Sequence, residues 1–133
     1  MIESVERYQK VLEMDPRNTE ALNGMAGAFA AQGKFAEAEG CFLKALEIDP
    51  RNTEAMNGMG ALAWQRRAHW YNTTKEHRFA YEMDGACISE AKKWYEKTLL
   101  VDPHNMIALK EMEKTEEARF NLNRAIFSQE HDI

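Results

Sequence analysis

Apolar residues recur along the chain at the spacing of a helix. Two stripes stand out, formed by Leu22, Met25, Ala26 and Phe29 and by Ala38, Phe42, Ala45 and Leu46. Steps of three and four residues place side chains on one face of a helix with 3.6 residues per turn. Within the stripes, the small residues Ala26 and Ala38 would let two antiparallel helices approach closely. We therefore predict an all-α fold built from helix pairs.

The three prolines divide the chain at regular places, and each follows an aspartate. Pro16 and Pro50 are 34 residues apart, and both are followed by the sequence Arg-Asn-Thr-Glu-Ala. Pro103 follows Pro50 by 53 residues, which is one 34-residue period with 19 extra residues. Proline cannot continue a helix and disfavours helical geometry in the preceding residue, so each Asp-Pro pair predicts a break between helices. The chain thus contains repeated helix pairs, one of which carries an insertion.

The residues around these breaks suit helix ends. Asn18, Asn52 and Asn105 stand where a helix begins, and an asparagine side-chain oxygen can accept from the exposed backbone N–H groups there. Gly33 can end the preceding helix in left-handed geometry. These residues predict one helix hairpin per 34-residue unit.

This pattern resembles that of the tetratricopeptide repeat family, whose repeat is a helix–turn–helix unit of 34 residues. Unit 19–52 supplies the family positions with Leu22, Met25-Ala26, Phe29, Ala38, Phe42, Ala45 and Pro50. Unit 53–105 supplies Met56, Met59-Gly60, Ala91, Tyr95, Thr98 and Pro103, and departs from the pattern at Ala63 and Thr98. The first unit keeps only its second helix, with Ser4, Tyr8, Val11 and Pro16. The resemblance covers nearly the whole chain.

The resemblance implies one domain of antiparallel helix hairpins stacked as a short right-handed superhelix. We expect a half repeat at 1–18, a full repeat at 19–52, a repeat with an insertion at 53–105, and a C-terminal capping helix at 106–128. The first helix of the first unit is missing, which leaves three explanations open. The chain is a fragment of a longer array, a second copy supplies the helix to form a dimer, or the insertion folds back over the gap.

The insertion, around residues 64–83, is rich in aromatic and basic residues in an otherwise acidic chain. One possible shape is an unbroken helix from Thr53 to Met83; the other has a break at Asn72-Thr73-Thr74, where Thr73 and Glu76 would form a capping box. Packing between lengthened helices explains the aromatic residues, and a platform for a partner explains them too, since Trp, Tyr and Arg dominate protein interfaces. The candidate partner-binding residues are Arg66, Arg67, Trp70, Tyr71, Lys75 and Arg78.

Composition and charge narrow the function classes. The chain has 133 residues, of which 44% are hydrophobic and 29% charged, as expected for a single globular domain. Its net charge of −5 argues against nucleic acid as a partner, so contact through the basic insertion is a minor alternative. We find no signal peptide and no membrane span. The two cysteines, Cys41 and Cys87, lie in helical patterns, and we expect them to be reduced, in the cytoplasm or the nucleus.

No set of residues with the spacing of a catalytic or metal site appears. The four histidines are His69, His77, His104 and His131, and none has the His-Glu-x-x-His spacing of a zinc helix. There is no Gly-rich phosphate loop and no nucleophile elbow. We therefore predict no enzymatic activity, no cofactor and no metal.

In the family that the chain resembles, the first helices of successive repeats line a concave groove that binds a protein or peptide. Opposite the core stripe, the candidate groove residues are Glu20, Asn23, Gly24, Gly27 and Ala31 in one unit and Glu54, Asn57, Gly58, Ala61 and Gln65 in the next. Asn23 and Asn57 offer both a donor and an acceptor to a peptide backbone. The alternative is that the C-terminal helix of the chain itself fills this groove. Heat-shock co-chaperones of the family carry lysines, asparagines and an arginine on these helices. Glycine and alanine stand in their place here, so we predict that this clamp is absent. Self-assembly as a structural repeat domain is the alternative function.

Overall fold

The computed structural model describes the backbone of residues 2–73 and 80–131, and the side chains of residues 4–72 and 83–128. Every regular element in these ranges is an α-helix. The helices are α1 (Ile2–Met14), α2 (Thr19–Ala31), α3 (Phe35–Ile48), α4 (Thr53–Thr73), α5 (Ala80–Val101) and α6 (Met106–His131). None of these helices is long and apolar enough to cross a membrane.

The helices stack in chain order. Each one packs against the next in the sequence, and α2 also contacts α4. Since contacts join neighbours and not distant elements, the core forms as a seam between adjacent hairpins, as in other repeat proteins. The predicted all-α hairpin-repeat fold is confirmed.

The asparagines after the Asp-Pro pairs begin helices as predicted. Oδ1 of Asn18 accepts from the backbone N–H of Ala21 at 2.9 Å. Asn52 and Asn105 repeat this bond at the start of α4 and α6, at 2.8 and 3.0 Å. Each side chain thereby satisfies one of the N–H groups that the first turn of a helix leaves without a partner.

Gly33 ends α2 in the left-handed conformation, with φ of 78°. Its N–H donates to the carbonyl of Ala30 at 3.0 Å, and the N–H of Lys34 donates to that of Phe29 at 2.9 Å. This pair of bonds is the Schellman arrangement, which suits glycine because a left-handed residue with a Cβ is strained. The hairpin of α2 and α3 thus turns where the sequence predicts.

The predicted core side chains form the seam. Leu22, Ala26, Ala38, Phe42 and Ala45 are buried in one cluster with residues of α4, and Phe29 and Leu46 pack against it. A second cluster joins α4, α5 and α6 through Ala63, Ala91, Tyr95 and Ala108. Burial of these apolar surfaces is the main favourable contribution to the fold.

The insertion lengthens both helices of its hairpin. α4 has 21 residues where α2 has 13, and α5 has 22 where α3 has 14. Nε of Arg67 lies 2.7 Å from Oδ1 of Asp84 across the hairpin. An unbroken helix would separate these two residues by about 25 Å. A continuous helix from Thr53 to Met83 is therefore wrong, and the broken form fits. The predicted Thr73–Glu76 capping box lies outside the described residues.

The ends of the stack differ from its middle. α1 packs on α2, with Val11 of α1 exposed. α6 packs on α5 and contains the segment 106–128 that we expect to cap the array. It runs for 26 residues without the glycine turn that ends α2 after 13. α6 therefore does not form a hairpin of the kind made by α2 and α3.

Candidate functional site

A groove lies between α4 and α6. Four of the candidate residues on α4, Glu54, Asn57, Ala61 and Gln65, are spaced by three, four and four residues and so share one face of the helix. An open cavity of about 270 Å³ separates this face from α6. Its lining consists of Asn57, Ala61, Trp64, Gln65, Tyr95, Ile107, Glu111 and Lys114. We call this cavity the α4–α6 groove.

The equivalent face of α2 is also exposed to solvent. Glu20, Gly27 and Ala31 precede Glu54, Ala61 and Gln65 by 34 residues, and all three are exposed. A Cβ added to Gly27 would meet no atom within 4 Å. The surface of small and polar side chains thus repeats on the two first helices, as the period predicts.

Gly24 and Gly58 were predicted in the groove, and the structure corrects their placement. A Cβ on Gly24 would overlap the ring of Tyr8, and a Cβ on Gly58 would overlap the ring of Phe42. Each glycine thus lets an aromatic residue of the preceding unit pack against the helix. The two glycines bring adjacent helices together and present no groove surface.

Asn23 and Asn57 also have a structural role that the sequence analysis missed. Nδ2 of Asn23 donates to Oδ1 of Asn52 at 3.2 Å, and Nδ2 of Asn57 donates to Oδ1 of Asn105 at the same distance. Because each N-cap oxygen is an acceptor, the facing amide group must be the donor. Asn23 is buried and its NH₂ is engaged, which corrects its assignment as an open groove donor. Asn57 lines the groove with its NH₂ engaged too.

Groove residues on α5 and α6 were not among those predicted. Lys114 is the ninth residue after the N-cap Asn105, as Ala61 is after Asn52, so counting from the asparagines could have found it. The hydroxyl of Tyr95 is hydrogen-bonded to Glu111. Burial, followed by the charge and hydrogen bond of Glu111, raises the pKa of Tyr95 well above its usual value. Nζ of Lys114 lies 5.0 Å from the centre of the Trp64 ring. These contacts hold one wall of the groove in place.

The insertion residues predicted to bind a partner contact their own chain. Arg66 forms an ion pair with Glu39 of α3. Arg67 and the hydroxyl of Tyr71 both donate to Oδ1 of Asp84, at 2.7 and 2.9 Å. The pKa of Tyr71 is raised by burial and then by Asp84. Lys75 and Arg78 lie outside the described residues. Carboxylates thus already pair both guanidinium groups, which counts against a basic surface for nucleic acid.

A second cavity lies beside these residues. It has a volume of about 470 Å³, and its lining includes Phe35, Arg66, His69, Trp70, Met83 and Cys87. The rings of Trp70 and Tyr71 meet edge to face at 5.0 Å, and those of Phe35 and His69 at 5.2 Å. Burial raises the pKa of the Cys87 thiol, and likewise that of Cys41. The surroundings of both cysteines therefore disfavour the reactive thiolate.

The part of the chain that the structure describes holds no group of three or more His, Cys, Asp or Glu side chains placed to bind a metal ion. The lining of the groove consists of one small residue, one larger aliphatic residue, two amides, two aromatic residues and a pair of opposite charges. Such a lining suits a polypeptide segment, which presents both backbone hydrogen-bonding groups and side chains.

Comparison with known proteins agrees with the fold. The tetratricopeptide repeat profile matches residues 19–52. A search among curated proteins found no match. Among solved structures, the first TPR of Spaghetti (RPAP3) bound to the HSP90 peptide SRMEEVD is 26% identical, with a TM-score of 0.64 over 86% of this chain and 75% of that one. The first TPR domain of human RPAP3, solved by NMR, is 25% identical, with a TM-score of 0.69 over 92% and 82%. Residues 19–52 thus form a tetratricopeptide repeat, and the chain shares the fold of the TPR domains of RPAP3.

Proposed function

We propose that this chain is a non-catalytic protein-interaction module that holds a peptide or helix of its partner in the α4–α6 groove. The observation that carries the proposal is the groove itself, an open cavity of about 270 Å³ between two first helices of the stack. In related repeats the first helices line the surface that binds the partner, and α4 and α6 supply seven of the eight residues that line this cavity. The exposed stripe of Glu20, Gly27 and Ala31 on α2 would extend the contact.

The lining supports a polypeptide as the ligand. Ala61 has a small side chain, so a bound backbone can approach α4 closely. Ile107 is largely exposed and offers an apolar contact, while Gln65 supplies both a hydrogen-bond donor and an acceptor. The RPAP3 domain with similar architecture was solved with a peptide bound, which supports the same class of ligand here.

The charges of the groove favour a basic or apolar segment. Glu54 lies one turn before Asn57 on the groove face, and Glu111 lies on the opposite wall. One basic residue, Lys114, lines the cavity, and its ammonium group lies over the Trp64 ring. Glu54 and Glu111 together outnumber Lys114, so an acidic segment would meet a net negative charge, and electrostatic complementarity governs the choice among partners.

A displayed library of random peptides tests the proposal. Peptides selected on the wild-type chain should lose binding to Ala61→Arg, because the long side chain fills the groove. Ala36→Arg is the matched control, since Ala36 is exposed on α3, away from the groove. Both variants should keep the helical circular dichroism spectrum. Peptides that bind Ala61→Arg as well as they bind the wild type would rule out the groove as the site.

A further inference from the structure

Two cationic side chains lie over the ring of Trp64 on α4. Cζ of Arg67 lies 5.6 Å from the ring centre, and Nζ of Lys114 on α6 lies 5.0 Å from it. Arg67 is paired with Asp84 and is not among the residues that line the α4–α6 groove, whereas Lys114 and Trp64 both line it. The aromatic wall of the groove therefore already holds an ammonium group, which is the contact that an indole ring makes with a ligand cation.

The ammonium group of Lys114 is weakly held. Lys114 is exposed on α6 and forms no ion pair with any residue that the structure describes. An exposed contact between a cation and an aromatic ring changes an equilibrium constant by about 2–5-fold. Because the lysine stem is flexible and its head group is strongly hydrated, Lys114 can turn into solvent at little cost. An ammonium group from another molecule can therefore take its place over Trp64.

A carboxylate lies on the same wall of the groove. Glu111 precedes Lys114 by three residues, so the two share a face of α6, and both line the groove. The carboxylate of Glu111 accepts a hydrogen bond from the hydroxyl of Tyr95, whose side chain is buried, and it forms no ion pair in the described part of the chain. Because the tyrosine already restricts this carboxylate, less conformational entropy is lost when a cation pairs with it.

A lysine side chain suits this combination of groups. Its ammonium group has three N–H donors, so it can donate to Glu111 while it lies over the ring of Trp64. We propose that Trp64 and Glu111 form a subsite for a lysine side chain of the partner, and that Lys114 occupies this subsite in the free chain. The subsite rests on the proposed function, since the lysine reaches it only from a polypeptide bound in the α4–α6 groove.

Competition by Lys114 lowers the affinity for the partner. A lysine of the partner must displace the ammonium group of Lys114 and also meets its positive charge. Lys114→Met keeps the length of the side chain and removes the charge, so this variant should bind a lysine-containing peptide about 2–5-fold more tightly than the wild type does. The same peptide with its lysine acetylated should gain nothing, because the acetylated side chain carries no charge.

A displayed library of random peptides, selected separately on three chains, tests the subsite. Peptides selected on the wild type should be enriched in lysine at one position, and those selected on Glu111→Gln should not. Glutamine still offers an oxygen to Tyr95, so the variant removes the charge and keeps the hydrogen bond. Glu113→Gln is the matched control, since Glu113 is exposed on α6 outside the groove lining, and it should keep the enrichment. Equal enrichment on Glu111→Gln, or none on the wild type, would overturn the proposal.

Fluorescence anisotropy with a selected lysine peptide tests the competition. Lys114→Met should tighten binding, and Lys110→Met should not, since Lys110 is exposed on α6 outside the groove lining. Equal gains in the two variants would assign the effect to net charge, and no gain in Lys114→Met would show that Lys114 does not compete; either result overturns the proposal.

Ala61→Arg separates failure of the subsite from failure of the groove. Peptides that lose binding to Ala61→Arg but show no preference for lysine would reject the subsite and leave the groove as the binding site. Peptides that bind Ala61→Arg as well as they bind the wild type would reject the groove, and the subsite with it.

Discussion

Nδ2 of Asn23 donates a hydrogen bond to Oδ1 of Asn52, 3.2 Å away, and so joins the middle of α2 to the first turn of α4. The same oxygen accepts from the backbone N–H of Ala55 at 2.8 Å. Asn57 and Asn105 repeat this arrangement between α4 and α6. The side chain of Asn52 thus caps α4 and also links two neighbouring units. The packing between units therefore depends on the N-cap asparagines.

Asn52→Ala should therefore destabilise the chain more than Asn18→Ala. Asn18 makes the capping bond to Ala21, whereas Asn52 makes the equivalent bond and also holds Asn23, whose amide is buried. Loss of a cap costs about 1 kcal/mol, and a buried amide left without its acceptor costs about 1–3 kcal/mol more. Urea unfolding, monitored by circular dichroism, gives the free energy of unfolding of each variant. Equal losses in the two variants would mean that the bond between Asn23 and Asn52 contributes nothing.

Gly58→Ala and Gly27→Ala should change stability in opposite directions. Replacement of glycine by alanine inside a helix ordinarily stabilises it by about 1 kcal/mol. A Cβ at Gly27 meets open space, so this gain should appear in full. A Cβ at Gly58 would overlap the ring of Phe42, which is buried, so overpacking, which costs about 1–3 kcal/mol, should outweigh the gain. Thermal unfolding of the two variants measures the contrast, and stabilisation by both would show that the ring shifts without cost.

The stability of the chain should fall at alkaline pH because of Tyr95. Its pKa is raised in the folded state, so the unfolded chain loses this proton first. The stabilising contribution is fully present below the ordinary tyrosine pKa of about 10 and is lost above it, by about 1.4 kcal/mol per pH unit. Tyr95→Phe should flatten this decline while it costs about 1 kcal/mol at neutral pH through the lost bond to Glu111. Urea unfolding at a series of pH values, with Tyr8→Phe as the control, checks the slope. An unchanged slope in Tyr95→Phe would contradict the assignment.

Asp84 should be the residue that fastens the lengthened hairpin of α4 and α5. It is buried and accepts from both Arg67 and Tyr71. Arg67→Ala would leave its carboxylate with the Tyr71 hydroxyl alone and should cost about 1–3 kcal/mol, with the lower part of this range favoured because the arginine is partly exposed to solvent. Lys92→Ala is the control, since Lys92 and Glu96 form an exposed pair at 3.8 Å. If the two variants lose equal stability, the Arg67–Asp84 pair does not hold the hairpin.

Helix ends and core faces could be read from the sequence because they depend on local chemistry. An asparagine caps the helix that it precedes, and Gly33 turns the chain at its own position. The groove residues were harder to predict from the sequence, because helical periodicity alone does not distinguish Gly24 from Gly27 when both lie opposite the core stripe. The ring of Tyr8, from the preceding unit, covers Gly24 and leaves Gly27 open. Contacts of this kind join residues on different helices, and the sequence pattern of one helix does not predict them.

The contacts made by the insertion could not be predicted from the sequence either. Its arginines stand out in an acidic chain and suggest a surface for a partner, but an isolated segment does not show which carboxylates approach it. Glu39 lies on α3 and Asp84 on the opposite helix of the hairpin, and only the fold brings them to Arg66 and Arg67.

The acidic HSP90 peptide SRMEEVD, which is bound in the RPAP3 structure, should bind this chain poorly. Gly27 and Ala61 offer no positive charge that could pair with the acidic side chains of the peptide. Glu54 and Glu111 carry negative charge and would repel them. Fluorescence anisotropy should show weaker binding of SRMEEVD than of the same peptide with its acidic residues replaced by lysine. The difference should shrink as salt is added, because exposed charges are screened.

A charge reversal in the groove should change this preference. Glu54→Lys should improve the binding of SRMEEVD, since it replaces a repulsive charge with an attractive one on the face that includes Asn57. Glu37→Lys makes the same change in net charge on the exposed surface of α3 and should have little effect. If both variants improve binding equally, the net charge of the chain governs the interaction. If the wild type prefers the acidic peptide, the charges of the groove do not select its partner.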